Sequence, residues 1–263
     1  MVCVFDCETI PDFDLIRDVF GYEGGDGEVA ALAMKEQKER SGSDFLAIPF
    51  HRVTAISAVV ADDFGMFIRV NSMEGQEEKE MISAFLSFID KKNPKLVSFN
   101  GRSFDLPMLM ARAMRYNFSC QAYFEVENRE FGKSKWDNYR YRYSERFHVD
   151  LMDHISDFGA VRGLKLDHLC TMAGLPGKYD VSGDQVMDLY LKGEIEKIKE
   201  YCESDTLNTY WLYLKYELLK GNITLEDYKR SIFAMSEKMP KSRGYYEIFA
   251  DAIKRELDVN KSL

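Results

Sequence analysis

The chain has 263 residues, 46% of them hydrophobic and 30% charged, and a net charge of −9. That length suits one large domain, or one domain with a small appendage, and it can bury a sizeable core. No apolar run approaches the roughly 20 residues of a membrane span, and the opening MVCVFDCET has no basic segment ahead of its short apolar run, so it reads as a strand and not as a secretory leader.

The predicted elements follow in order. Residues 2–5 read as a short buried strand. Residues 12–40 look helical and polar, broken by the glycine-rich GYEGGDG, and suggest a surface insertion. Residues 52–60 (RVTAISAVV) are β-branched and strand-like. Asp62, Asp63 and Gly65 supply a turn, and residues 66–70 the return strand of a hairpin. From 76 to 91, Met81, Ile82, Phe85, Leu86 and Ile89 fall at helical spacing, until Asn93-Pro94 stops the helix. Residues 96–99 form another short strand, 103–116 a helix and 147–151 a strand. Helices follow over 164–173, 183–192, 195–220 and, as a last pair, 225–256. A hairpin, then strand–helix alternation, then helices predicts an α/β fold with a mixed β-sheet flanked by helices. A boundary near Gly221-Asn222 would divide a domain of residues 1–220 from a helical C-terminal extension, 221–263, packed on it.

The five cysteines are odd in number and include no Cys-x-x-Cys pair. They argue for neither a disulfide framework nor a zinc clip, and they suit structural thiols in a reducing cytosol.

Acidic residues carry the candidate chemistry. Asp6 and Glu8 close the first strand, and residues i and i+2 of a strand point the same way, so the pair can grip one hard cation. Asp105 falls in the first turns of the helix after strand 96–99; an Asp that complements the helix dipole accounts for it equally well. Tyr201 and Asp205 share a helical face at i,i+4, beside an apolar stripe through Ile195, Ile198, Leu207, Leu212 and Leu214. An exposed Asp and a half-buried Tyr account for that pair too. Together the set suits phosphodiester hydrolysis, in which two divalent ions about 3.5–4 Å apart activate a water and stabilise both the phosphate and the leaving oxygen. A phenol can orient that water. The acidic net charge does not exclude a nucleic-acid substrate, because four acids would be metal ligands and two ions return about +4 locally.

At these residues a resemblance enters. FDCETIPD resembles the first motif of the DEDD exonuclease superfamily, NGRSFDLP is similar to the second motif of family-B DNA polymerase proofreading domains, and YCESD is similar to the third, Tyr-x-x-x-Asp, of the tyrosine subclass. FLAIPFHRVTAIS, FHVDLMD and GKYDVSGDQV extend the resemblance, to about Lys215, to stand-alone bacterial proteins described as predicted 3′–5′ exonucleases related to the family-B polymerase exonuclease domain. The resemblance implies a ribonuclease-H-like fold and two Mg²⁺ or Mn²⁺ ions. It implies Asp6, Glu8 and Asp205 as direct ligands, Asp105 as ligand of the second ion, and Tyr201 as the residue that orients the water. The histidine subclass has His where this chain has Glu200, so His148 and His154 are not needed as bases, and His148 reads as structural.

On the substrate side, Asn100 and Phe104 flank the second motif, and Thr9 and Ile10 follow Glu8, where they would meet the terminal nucleotides. A turn Asn and a core Phe would explain the first two as well. Residues 129–147 interleave Arg129, Lys133, Lys135, Arg140, Arg142 and Arg146 with Trp136, Tyr139, Tyr141 and Tyr143. That suits a hairpin turning at Asp137-Asn138 that grips phosphates and stacks unpaired bases, or a solvated hairpin with a packed aromatic face. Lys178 is a further candidate for phosphate contact. The partner expected is the 3′ end of a single strand, DNA ahead of RNA, in the cytoplasm, with no membrane and a possible replication or repair partner. The rival readings are a non-catalytic module that binds nucleic acid or a polymerase, and an endonuclease of the same broad fold.

Overall fold

The computed structural model describes residues 1–179 and 182–259; Asp180 and Val181 of the GKYDVSGDQV segment lie outside the described residues. Strand β1 (Val2–Pro11) is the middle of a five-stranded sheet of order β3-β2-β1-β4-β5. β2 (His51–Ala61) pairs with β1 antiparallel, from Val2 opposite Ala61 to Pro11 opposite His51, and β3 (Phe67–Ser72) returns antiparallel to β2. β4 (Lys95–Ser98) and β5 (His148–Asp150) run parallel to β1. This mixed sheet with helices on its faces is ribonuclease-H-like. β1 continues well past Phe5, where the sequence suggests an end. Its polar Asp-x-Glu-Thr stretch reads as a terminus, but β2 supplies backbone partners along its whole length.

The helices are α1 (Phe13–Phe20), α2 (Asp26–Ser41), α3 (Glu78–Lys92), α4 (Asp105–Arg115), the single turn α5 (Gln121–Phe124), α6 (Leu151–Ile155), α7 (Leu166–Met172), α8 (Val186–Leu191), α9 (Ile195–Leu219), α10 (Leu225–Lys238) and α11 (Tyr246–Val259). Alternation along β1 divides the core. Val2 and Val4 enter one layer, with Leu207, Trp211, Ile232 and Phe249 from α9, α10 and α11. Cys3, Phe5 and Cys7 enter the other, with Phe85, Ile89 and Leu109 from α3 and α4. α9 is buried around most of its circumference between Tyr201 and Leu214, the mark of a helix enclosed by the fold and not lying on it. All five cysteines are buried and unbridged. Among the described residues, no helix is long and apolar enough to cross a membrane.

Two buried polar networks brace this frame. Arg112 of α4 donates to Glu78 of α3 through Nε at 2.7 Å and to Asp12 through Nη1 at 2.6 Å, while Glu78 also accepts the Val53 N–H at 2.8 Å. Asp12 in turn caps α1. The network ties α4, whose first residue is Asp105, to the far end of β1. On the other face Glu203 of α9 accepts from the backbone and hydroxyl of Ser72, from Arg243 and from the Tyr245 hydroxyl.

Two segments depart from expectation. Residues 12–40 form two helices, broken at Gly21 (φ 69°) as the glycines suggest, but they are not a free insertion. Ile16, Val29 and Ala33 form a cluster with Leu46, and Phe13 and Ala30 pack beside Ile10 and Ala55. Residues 129–147 are not a regular hairpin. They contain two isolated bridges, Asn128 with Lys133 and Ser134 with Asp137, so the tight turn falls at Lys135-Trp136 and not at Asp137-Asn138. The Asn138 side chain accepts the N–H groups of Arg140 and Tyr141 and coils the chain locally. Lys133 turns inward, donating to the Ala122 carbonyl at 2.7 Å and pairing with Glu125.

Candidate active site

Asp6 and Glu8 continue the parity of Val2 and Val4, and so face the layer that holds α9. Pairing between β1 and β4 ends at Val4 opposite Val97. The two carboxylates therefore stand where the strands part, outside the carboxyl ends of parallel strands, where open α/β sheets form their crevices. Register slips between Glu8 and Thr9: Glu8 faces Ala55 and Thr9 faces Val53. The extra residue, Thr54, donates its hydroxyl to the Glu8 carbonyl at 3.0 Å. This bulge re-aims the strand where the candidate ligands end.

The chain leaves β4 through Asn100, at φ 68°, and Gly101. A Cβ at Gly101 would lie 2.6 Å from Ser98 Oγ, so the turn requires glycine. Asp150 fastens it, accepting the N–H groups of Asn100 at 2.9 Å and Arg102 at 2.8 Å. The turn delivers Asp105, buried, as the first residue of α4. Burial raises its carboxyl to about 7; its own backbone N–H and the Cys7 thiol oppose the rise, and Asp150 adds to it.

α9 contributes Tyr201 and Asp205, one turn apart on one helical face. Burial raises Asp205 to about 6 against the pull of Tyr201 and Lys178. Burial, with the charges of Asp205, Glu8 and Asp6, pushes the Tyr201 phenol far up, so it stays protonated. Asp6 is raised well above the carboxylate range by burial, then by Asp105 and Asp205; Glu8 by burial, then by Asp6, Asp205 and Asp105, with Lys178 opposing. Four carboxylates from three distant stretches thus share one field that Lys178 only partly relieves. One ligand atom each from Asp6, Glu8 and Cys202 lies within 4.8 Å of the others. Clustered oxygen donors with uncompensated negative charge fit hard divalent cations.

Two recesses flank the carboxylates. One, of about 240 Å³, lies between Asp205, Asp167, Lys178 and Asn208. Asn208 brackets Gly177, donating to its carbonyl at 2.7 Å and accepting its N–H at 3.1 Å, and Asp167 accepts the Lys178 N–H at 3.1 Å. The other, of about 430 Å³, is a groove lined by Glu8, Thr9, Phe45, His51, Phe104 and Gly183 among others. Phe104 meets the His51 ring at 4.8 Å and Phe45 at 5.1 Å. Ile10 reaches this wall but is 1% exposed, packed with Val186, Ile198 and Tyr201.

Asp6 and Glu8 therefore stand together, and Asp105 and Asp205 lie near enough to act on both through charge, although the ligand group within 4.8 Å holds Asp6, Glu8 and Cys202 alone among the described residues. Tyr201 feels the charges of Asp205, Glu8 and Asp6, Thr9 and Phe104 line the groove with Glu8, and Asn100 is on the supporting turn. Arg140 and Arg142 stand apart. Arg142 grips Asp153 with bonds of 2.9 and 2.6 Å, and Arg140 lies over the Phe124 ring at 5.4 Å. Arg102, on the turn that Asp150 fastens, donates to the Tyr139 and Arg140 carbonyls. His148 is buried in β5, bonded to Ser98 Oγ at 2.8 Å and held neutral by burial, a structural residue. Sequence reasoning passed over His51, Asp150, Asp167 and Asn208. Only Asn208 left a usable signal, one turn beyond Asp205 on the same helical face.

Residues 43–253 match the model of a family described as predicted 3′–5′ exonuclease related to the exonuclease domain of PolB. Asp105, Tyr201 and Asp205 fall inside that span, and Asp6 and Glu8 precede it. The DNA polymerase of Archaeoglobus fulgidus is 29% identical over 153 residues, which cover 55% of this chain and 19% of that one. The family B DNA polymerase from the hyperthermophilic archaeon Pyrobaculum calidifontis aligns with 95% of this chain and 27% of its own, at 16% identity and a TM-score of 0.49. The chain thus spans well under a third of either polymerase. With the family match running through most of its length, the chain belongs to the predicted 3′–5′ exonucleases related to the exonuclease domain of PolB.

Proposed function

We propose that the protein hydrolyses phosphodiester bonds from the 3′ end of single-stranded nucleic acid, DNA ahead of RNA, with two Mg²⁺ or Mn²⁺ ions. The observation that carries this reading is the convergence of Asp6, Glu8, Asp105 and Asp205 beside Tyr201, with an open groove alongside. Asp6, Glu8 and Asp205 would hold the ions directly, with Asp105 serving the second. When bound, the ions acidify a water and stabilise charge on the phosphate and leaving oxygen. Tyr201, kept protonated, holds the attacking water by a hydrogen bond. Lys178, set by Asn208 and Asp167, offers a cation to the phosphate. Phe104 and Thr9 receive the terminal nucleotide.

The test is a digestion series with Mg²⁺ or Mn²⁺ on single-stranded DNA, duplex DNA and RNA, each with free and blocked 3′ ends. Mononucleotides released only from free ends support the reading. Cleavage of blocked strands would instead indicate an endonuclease, and no cleavage a binding module.

Tyr201→Phe should lower kcat about 10- to 100-fold with KM little changed, because only the orientation of the water is lost. Single-turnover rates decide this, and an equal loss in KM would assign Tyr201 to substrate binding instead.

The strand track is proposed to continue over residues 136–143. Trp136, 58% exposed, meets Tyr141, which meets Tyr143, 62% exposed, which meets Phe158. Rings in series suit unpaired bases, each stacked base contributing about 1–3 kcal/mol. Trp136→Ala should weaken binding of a metal-free single strand by about tenfold or more. Arg140→Ala with Arg142→Ala should flatten its salt dependence by about one to two unit slopes. Fluorescence anisotropy at several salt concentrations measures both, and unchanged curves would remove this segment from the track.

A further inference from the structure

His51 sits in the wall of the groove, 7% exposed, between two partners of different kind. Its Nε2 is 3.0 Å from the Leu46 carbonyl, and its Nδ1 is 2.9 Å from Thr9 Oγ1. A carbonyl oxygen only accepts, so Nε2 carries the hydrogen. In a neutral imidazole Nδ1 is then a bare lone pair, and burial favours the neutral ring. The Thr9 hydroxyl must spend its one hydrogen on Nδ1. What it presents to the groove is oxygen lone pairs alone. The ring cannot turn away from this task, because the Phe45 and Phe104 rings each lie 4.8 Å from it.

An acceptor-only group next to Glu8 selects a donor. Along a DNA strand the interior sugars carry no hydroxyl, since each 3′ oxygen is esterified. A free 3′-hydroxyl is found on the last sugar alone. Base amino groups are donors as well, but they vary from base to base, whereas the terminal sugar hydroxyl is constant. Resting on the exonuclease reading above, we propose that His51 is a positioning residue that locks the Thr9 hydroxyl as an acceptor for a sugar hydroxyl of the terminal nucleotide, and so marks the end of a strand from its interior.

The experiment compares binding of oligodeoxynucleotides ending in a 3′-hydroxyl or a 3′-deoxy sugar, by anisotropy in EDTA. The native protein should bind the hydroxyl end about 2- to 10-fold more tightly, the range of one neutral hydrogen bond. Thr9→Val, which keeps the side-chain shape, and His51→Phe, which keeps a ring without the acceptor, should bring that ratio to about one. His51→Asn offers Oδ1 in place of Nδ1 and should restore part of it, which a purely structural role would not. An RNA end that keeps its 2′-hydroxyl but lacks the 3′-hydroxyl distinguishes the two sugar oxygens. A native ratio of one, or a full ratio in both Thr9→Val and His51→Phe, would overturn the proposal. Digestion of 3′ ends with a ratio of one sinks this inference alone; an intact ratio without digestion sinks the exonuclease reading and leaves this one standing.

Discussion

Asp6→Asn and Asp205→Asn are expected to cut release of nucleotides from a 3′ end by about 10³-fold, since a metal ligand governs several kcal/mol of transition-state stabilisation. The same substitutions should leave thermal stability unchanged or raised. Asp6 and Asp205 belong to a buried set of like charges, and each holds its charge at a cost to the fold. Neutralising one without changing its shape relieves that repulsion, a trade of stability against activity found at many sites. A residue that mattered only to the fold would show the opposite pattern, with Tm falling along with activity. The two readouts, Mg²⁺-dependent digestion and a melting curve, separate the cases. Undiminished digestion by either variant would remove that carboxylate from the metal set.

The second large effect concerns Arg112, in the buried network behind α4 and the far end of β1. Its side chain is 5% exposed, and its partners Asp12 and Glu78 are 3% and 1% exposed. Arg112→Met removes the cation the two share and leaves buried Glu78 with no cation, only the Tyr116 hydroxyl and the Val53 N–H, while Asp12 keeps the half-exposed Arg115 at 3.5 Å. Breaking a buried pair in this way costs about 3–5 kcal/mol, and the urea midpoint should fall accordingly at an unchanged slope. Neutralising all three, with Asp12→Asn, Glu78→Gln and Arg112→Met, should recover a large part, because the charges are then no longer stranded. A loss below about 1 kcal/mol in the single variant would mean that water reaches the network.

The frame of the fold was legible because it rests on apolar runs. The apolar run from Val2 to Phe5 marks a buried strand, and the spacing from Met81 to Ile89 states its own helical period. Spacing likewise paired Asp6 with Glu8 and Tyr201 with Asp205. Contacts that depend on sheet register were not legible. Thr9 meets His51 across 42 positions only because Pro11 lies opposite His51 and Thr54 bulges between. The true extent of β1 was hidden for the same reason: polar residues that line a site look like the end of a strand until the partner strand is known. The stretch from Arg129 to Phe147 misled in a different way. Its alternation of cations and rings imitates a hairpin, but Asn138 and the buried Lys133 shape it through side-chain hydrogen bonds that no periodicity reports.

The Glu203 network also bears on how the molecule matures. Glu203 lies between Tyr201 and Asp205 in sequence, 1% exposed, and its cationic partner Arg243 comes 40 residues later. During synthesis the helix that carries Tyr201 and Asp205 therefore leaves the ribosome before the charge that lets Glu203 be buried. Until Arg243 and Tyr245 emerge, docking that helix under β1 buries a carboxylate held by Ser72 without its cation, which weakens the docked state. The helix that brings Tyr201 and Asp205 to β1 is then seated late, once the segment carrying Arg243 and Tyr245 has joined the fold.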